Sequence, residues 1–237
     1  MATIVIVHGA WGGGWAWRTV SNSLRAGGHE VFTPTLTGMG ERSHLARPDI
    51  NLETHIQDIV NVLEYEDLTD VILAGHSYAG MVITGVADRT APRLRHLVYL
   101  DAFVPADGQS LFDMATSPEA RAARVKQAEA AKDGWQILPG PLAADTPTEI
   151  AAWAMARRVP QPLQTFVQPV RITGAANHLP RSYVHCTNKP DGDGFAECAR
   201  QARESSTWTY YALPTGHNLQ YTAPKEATAI LLGIAAK

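Results

Sequence analysis

Cysteine is nearly absent: the chain of 237 residues holds only Cys186 and Cys198. Two thiols cannot build a disulfide framework and are not spaced as a metal clip. Free thiols in a reducing compartment are therefore expected, with a single bridge between the two left open. A charge excess is also missing. Lys and Arg number 20 against 23 Asp and Glu, for a formal charge of −3, and no segment gathers a basic face. Nucleic acid and an anionic membrane surface are excluded as expected partners on that ground. No apolar run approaches the roughly 20 residues that span a bilayer. The first segment, Met1-Ala2-Thr3-Ile4-Val5-Ile6-Val7, lacks a basic leader and reads as a buried strand rather than a signal or an anchor. A cytoplasmic location is the corresponding expectation. Internal repeats and low-complexity tracts are missing too.

What remains is a globular composition, 45% hydrophobic and 18% charged with 19 Gly and 15 Pro, in a chain long enough to bury well over half of its surface. Ile4-Val5-Ile6-Val7 is short, continuous and β-branched, as suits a parallel strand covered on both faces. A glycine-rich segment, His8-Gly9-Ala10-Trp11-Gly12-Gly13-Gly14, ends it, and Trp17, Val20 and Leu24 then recur at helical spacing as far as Gly27-Gly28. A second strand is predicted over 29–34. Leu52, Ile56, Ile59, Val60 and Leu63 form one stripe of an amphipathic helix. Val71-Ile72-Leu73-Ala74 and Leu97-Val98-Tyr99-Leu100 are further strands, separated by the small-residue helix that follows Ser77. This alternation predicts one α/β domain, a mainly parallel doubly wound sheet with helices on both faces. From 104 to 180 the pattern changes to Ala-rich, Pro-interrupted sequence, predicting short helices joined by bends. The α/β pattern returns with strands at Tyr183–Cys186 and Trp208–Leu213 and a last helix opened by Pro224. The predicted organisation is a core of 1–103 and 181–237 carrying a helical insertion, 104–180.

Gly75-His76-Ser77-Tyr78-Ala79-Gly80 is a G-x-S-x-A variant of the sharp strand-to-helix turn that exposes a nucleophilic serine. The turn needs small residues two before and two after the serine. The string alone is weak, and a serine capping an ordinary turn is the plainer alternative. Its context, apolar strand before and small-residue helix after, favours the nucleophile. A serine needs a base to take its proton, and His217, between the last strand and the last helix, stands where that base belongs. Among the other histidines, His29, His44, His55, His96 and His178 are expected at the surface or in loops, and His185 inside a strand. Backbone N–H groups of Tyr78, after the serine, and Ala10, in the first glycine loop, are the expected oxyanion donors. Gly9, Gly12, Gly13 and Gly14 make no G-x-G-x-x-G and the loop has no Walker lysine, so a nucleotide reading fails.

The strings Ile6-Val7-His8-Gly9-Ala10-Trp11-Gly12-Gly13-Gly14-Trp15, Gly75-His76-Ser77, Tyr183-Val184-His185-Cys186-Thr187 and Gly216-His217 with Ala223-Pro224 resemble the plant hydroxynitrile lyase and methylesterase family of α/β-hydrolases, and related bacterial esterases. The resemblance spans nearly the whole core and implies an α/β-hydrolase fold capped by the 104–180 insertion. It implies Ser77 as nucleophile, His217 as general base and acid, and Ala10 and Tyr78 as oxyanion donors. The acid departs from the pattern. The position that holds aspartate in the plant enzymes is Lys189 here. Asp101, at the end of a strand, is favoured because a rigid strand end orients a carboxylate better than a glycine loop does. Asp193 or Asp191, in the Pro190-Asp191-Gly192-Asp193-Gly194 loop, remains the alternative.

The resemblance also separates two activities. A lyase of this family uses a threonine where Gly9 stands and a lysine where Asn218 stands, the latter to hold cyanide. The expectation is therefore a serine carboxylesterase acting on small to medium apolar or aromatic esters, with a hydroxynitrile-lyase-like or other non-hydrolytic member as the alternative. No metal or organic cofactor is implied, and the partner is a small-molecule ester. The oligomeric state is left open, a homodimer included. Trp11, Phe103, Trp135 and Trp153 are the candidate substrate contacts, with Phe112, Met114, Met155 and Phe166 as further apolar residues of the insertion.

Overall fold

The computed structural model describes residues 1–115, 117–130, 133–189 and 192–237. The core begins with β1 (Thr3–Val7), α1 (Arg18–Ala26), β2 (Glu30–Phe32), α2 (Leu52–Tyr65), β3 (Val71–His76), α3 (Ala79–Thr90) and β4 (Leu94–Leu100). The insertion contributes α4 (Leu111–Ala115), α5 (Pro118–Ala130), β5 (Gln136–Ile137), α6 (Thr148–Met155), β6 (Gln161–Pro162) and α7 (Gln164–Val167). The core then resumes with β7 (Arg181–Cys186), α8 (Ala196–Glu204), β8 (Trp208–Leu213), α9 (Leu219–Thr222) and α10 (Pro224–Ala235). Six strands pair in the order β2-β1-β3-β4-β7-β8, every pair parallel. This is the α/β-hydrolase architecture, and all its strands end on one edge.

Period-2 alternation explains the two layers of core. Val5, Val7, Val71, Leu73, Leu97, Tyr99 and Tyr183 point to the face covered by α2, α3 and α8. Ile4, Ile6, Ile72, Ala74, Val98, Leu100 and Val184 point to the face covered by α1 and α10. A strand buried on both faces must be apolar throughout, which is why these runs are continuous rather than alternating. Phe112, Ile137, Phe166 and Val170 of the insertion join the first layer, so the insertion packs on the core instead of standing off from it.

The helix α2 starts at a capping box. Asn51 Oδ1 accepts the Thr54 N–H at 3.0 Å and Thr54 Oγ1 accepts the Asn51 N–H at 3.4 Å, an arrangement worth about 1 kcal/mol. It buries the predicted stripe, and it also buries His55, which is 0% exposed. That corrects the expectation of a surface histidine. His55 lies three residues after Leu52 and so shares the apolar face, a spacing that was visible in the sequence. His96 is likewise not a loop residue. It sits in β4 with Nε2 2.9 Å from Ser182 Oγ.

Two other expectations shift. The second strand covers only 30–32. The insertion holds, besides its helices, the antiparallel pair β5 and β6, with Ile137 opposite Gln161. The pair is two residues long and ends in a proline that cannot donate to a ladder, so no strand pattern announced it. Cys186 and Cys198 are both buried and free. No helix among the described residues is long and apolar enough to cross a membrane.

Candidate active site

Ser77 sits between the end of β3 and the start of α3 with φ of +57°, a left-handed conformation that costs an L-residue about 1–3 kcal/mol unless its surroundings impose it. Here they do. The Ser77 N–H donates to Leu100 O at 3.3 Å, and Ser77 O accepts from the N–H groups of Gly80 at 3.1 Å and Phe103 at 3.2 Å. Gly75, two before the serine, stands where a small residue is expected, and crowding is also severe at Gly80, three after it. A Cβ on Gly75 would lie 2.8 Å from Ala79 O, and one on Gly80 would collide with Phe103 O.

The structure brings Ser77, His217 and Asp101 together. His217, in the loop between β8 and α9, places Nε2 3.0 Å from Ser77 Oγ and Nδ1 2.6 Å from Asp101 Oδ2. An ionised carboxylate only accepts, so Nδ1 carries the proton and Nε2 is left to accept from the serine. Asp101 follows β4 directly, again at positive φ of 46°, and is 0% exposed. Burial alone would raise its pKa. The hydrogen bond and charge of His217 and the ammonium of Lys189 outweigh that and hold the carboxyl below its ordinary range. Its second oxygen, Oδ1, accepts from Cys186 N–H at 3.1 Å and Lys189 Nζ at 2.7 Å.

The His217 ring is stacked between His76, at 4.6 Å, and Phe195, at 4.7 Å. His76 also donates Nε2–H to His217 O at 2.9 Å, and Asp145 of the insertion accepts the N–H of Gly216 at 2.7 Å. The histidine loop is thus pinned from the core and from the insertion. Burial, reinforced by the neighbouring His217, lowers the His76 pKa to about 3, so His76 stays neutral and keeps one donor nitrogen. His8 is lowered to about 4 by burial. Its Nδ1–H donates to Gly9 O at 2.8 Å and its Nε2 accepts Leu36 N–H at 3.1 Å, fixing the first glycine loop.

That loop carries Ala10. Among the described residues neither Ala10 N–H nor Tyr78 N–H has a protein acceptor. Trp11, next in line, adopts φ of +62°. Its N–H donates to Gln161 Oε1 at 3.1 Å, its indole to Ile137 O at 2.9 Å, and its carbonyl accepts Val159 N–H at 3.1 Å. Three bonds from the insertion therefore hold a strained residue beside Ala10. Tyr78 is fixed from the other side, its hydroxyl donating to His55 Nδ1 at 2.9 Å.

A cavity of about 180 Å³ opens over Ser77 and His217, walled by Trp11, Trp15, Leu142, Arg158 and Tyr221. A second, of about 290 Å³, reaches His217 from the side of Phe195 and Ala144. A wider concavity, about 840 Å³, lies over α1 and includes neither Ser77 nor His217. Of the predicted substrate contacts, Trp11 lines the first cavity. Trp153 stands behind it, edge-on to Trp15 at 5.1 Å and Tyr221 at 6.4 Å. Phe103 packs on Phe195 at 4.7 Å below the elbow, and Trp135 lines neither cavity. Sequence reasoning missed Trp15, Tyr221, Arg158 and Phe195. Trp15 was in the quoted glycine-loop string, but the other three carry no local signal.

Of the alternative acids, Asp193 does not reach His217. Its Oδ2 is 2.6 Å from His185 Nε2 and its Oδ1 accepts Lys189 Nζ at 2.6 Å and Phe195 N–H at 2.9 Å. Asp191 lies outside the described residues. Among the described residues no group of three or more His, Cys, Asp or Glu side chains is arranged to hold a metal ion.

Three kinds of likeness accompany this geometry. The sequence model of the alpha/beta hydrolase family matches residues 4–230. A carbendazim hydrolyzing esterase from Nocardioides sp. (strain SG-4G) is 42% identical over 233 residues, 95% of this chain and 96% of that protein. An alpha-hydroxynitrile lyase of Arabidopsis thaliana is 28% identical over 102 residues, 43% of this chain and 40% of that protein. An extracellular alpha/beta-hydrolase from a Paenibacillus species superposes with a TM-score of 0.85 at 25% identity, over 98% of each chain.

Proposed function

The chain belongs to the alpha/beta hydrolase family, and from that premise we propose that it is a serine carboxylesterase working through an acyl-enzyme on Ser77. Ser77 Oγ attacks the ester carbonyl while its proton passes to His217 Nε2. Asp101 holds the ring in the right tautomer and balances the imidazolium. The N–H groups of Ala10 and Tyr78 bind the oxyanion of the tetrahedral intermediate. When the ester C–O bond breaks, His217 returns the proton to the departing alkoxide. A water then adds to the acyl carbonyl, giving its proton to His217, and the second collapse releases the acid and restores Ser77.

The observation that carries this reading is the unbroken string from Ser77 Oγ through His217 to buried Asp101, at 3.0 and 2.6 Å. The relative named as an esterase supports ester hydrolysis as the reaction. A cavity of about 180 Å³ with Trp11, Trp15 and Tyr221 in its wall favours small to medium apolar or aromatic esters. The 104–180 insertion acts as the cap that shapes it. A lyase holding cyanide needs a free cation at the histidine. The position that the resemblance gives to the cyanide-holding lysine is Asn218, and Lys189 is 8% exposed and committed to two carboxylates; Arg158 in the cavity wall donates to the Gly140 carbonyl.

The test is acylation. Turnover of p-nitrophenyl acetate should be blocked by a serine-directed phosphonate, with the label found on the Ser77 peptide by mass spectrometry. Full turnover by Ser77→Ala would overturn the mechanism.

A further inference from the structure

Beyond the Ser77, His217 and Asp101 string, the same sheet edge holds a second, partly buried network that takes no part in the proposed acyl transfer. Lys189 Nζ lies 2.7 Å from Asp101 Oδ1 and 2.6 Å from Asp193 Oδ1, with its side chain 8% exposed. Asp193 Oδ2 continues to His185 Nε2 at 2.6 Å, and His185 Nδ1 to Tyr210 OH at 2.7 Å. The Lys189 ammonium also sits 4.9 Å over the Phe195 ring, which in turn stacks on His217 and packs against Phe103. We propose that Lys189 is a positioning residue for hydrolysis: one cation shared by Asp101 and Asp193 that fixes the acid, ties down the Phe195 loop and sets the net charge beside His217. The inference rests on the acyl-enzyme reading for its kinetic arm only.

Charge counting gives the argument its direction. The groups facing His217 are Asp101 from the end of β4, His76 from the end of β3, Lys189 and Asp193 from the loop after β7, Asp145 from the insertion, held on the Gly216 N–H, and Arg158 in the wall of the cavity. His76 is neutral through burial. Asp145 and Arg158 are unchanged in every variant below; Asp101, Lys189 and Asp193 carry minus one between them, which becomes zero when His217 is protonated at the transition state. Without Lys189 the same cluster holds minus two, two carboxylates crowd together, and His217 becomes more basic. Without Asp193 the cluster is neutral and His217 becomes less basic. Packing alone gives no reason for these opposite signs.

Four variants decide it. Lys189→Met should move the acid limb of kcat/KM to higher pH by about one unit and lower kcat about 10-fold with KM nearly unchanged, since ordering of the reacting groups and not substrate contact is lost. Asp193→Asn should move the limb to lower pH by less, because Asp193 touches His217 only through Lys189. The double variant restores minus one and should return the limb close to its original position, and Lys189→Arg should restore most of the kcat. A limb that stays fixed in both single variants, Lys189→Met and Asp193→Asn, or a double variant whose limb does not return, would overturn the proposal. Titrating the His217 ring by NMR in each variant reads the same shifts without turnover. A failure of Ser77 as nucleophile would therefore leave this test standing, and a failure of the shifts would leave the nucleophile standing.

Discussion

Two histidines at the carboxyl edge of the sheet each sit between an aspartate and a hydroxyl, and their surroundings differ. His217 joins Asp101 at 2.6 Å to Ser77 at 3.0 Å. His185 joins Asp193 at 2.6 Å to Tyr210 at 2.7 Å. Measured by distance alone the two strings are equivalent. They differ in what surrounds the hydroxyl. Ser77 stands on a left-handed turn with two unpartnered backbone N–H groups nearby and a cavity above it, and Asp101 is sealed from water. Asp193 keeps 23% of its side chain exposed, and neither His185 nor Tyr210 lines either cavity at His217. A carboxylate, an imidazole and a hydroxyl in line are thus insufficient. Access, free backbone N–H groups beside the hydroxyl and a dry carboxylate set the first string apart, and the proposed role of Ser77 rests on them.

The sharpest way to break this contrast is to remove each hydroxyl. Ser77→Ala should lower kcat for p-nitrophenyl acetate by about 10⁴-fold or more, whereas Tyr210→Phe should change it less than about threefold. The carboxylates give the next contrast. Asp101→Asn leaves His217 free to take the wrong tautomer and should cost about 10³- to 10⁴-fold in kcat. Asp193→Asn should cost less than about 10-fold. Equal losses for the two aspartates, read from kcat in steady-state assays, would mean that burial of Asp101 is not what separates the strings.

How much of this could be read from residues is clearest at particular positions. β1, β3 and β4 announced themselves as continuous apolar runs because both faces are covered, and Gly75 with Ser77 announced the elbow because backbone crowding leaves no other residue types. Asp101 was favoured for its strand-end position, and it is the carboxylate at the histidine. Lys189 stood out as a charge reversed against the pattern, but its role was invisible, because its two partners come from 88 residues before it and four after it. The cavity wall was the least legible. Trp11 is held by Ile137, Val159 and Gln161 of the insertion, and Tyr221 and Arg158 meet it from segments with no periodic signal. Long-range packing decides such contacts, and one-dimensional patterns do not encode it.

Histidines that move no proton sharpen the comparison through stability. His8 and His55 have pKa values lowered to about 4 and His76 to about 3, all by burial. Their unfolded value is about 6.5. As the pH falls through 6.5, the unfolded chain takes up protons that the folded chain refuses, so stability is full above that pH and declines toward pH 4. Tm should therefore drop between pH 7 and pH 5. His55→Gln, with one fewer such group, should show a shallower drop even if its Tm at pH 7 is lower. A slope equal to that of the parent would show that His55 titrates normally in the fold.

The smallest expected effect tests the insertion against the core as supports of His217. From the core, His76 donates to the His217 carbonyl, and from the insertion, Asp145 accepts the Gly216 N–H at 2.7 Å. Asp145 is exposed, so its hydrogen bond competes with water and contributes little to global stability. Its value lies in fixing the peptide just before the histidine, whose Nε2 must stay within reach of Ser77. Asp145→Ala should thus leave Tm within a degree or two while lowering kcat/KM about threefold to 10-fold. The loss should sit in kcat if the histidine alone is loosened. A rise in KM instead would show that Asp145 matters through the adjoining wall, Leu142 to Ala144, which separates the two cavities, and would move the insertion's contribution from positioning the base to shaping the space for substrate.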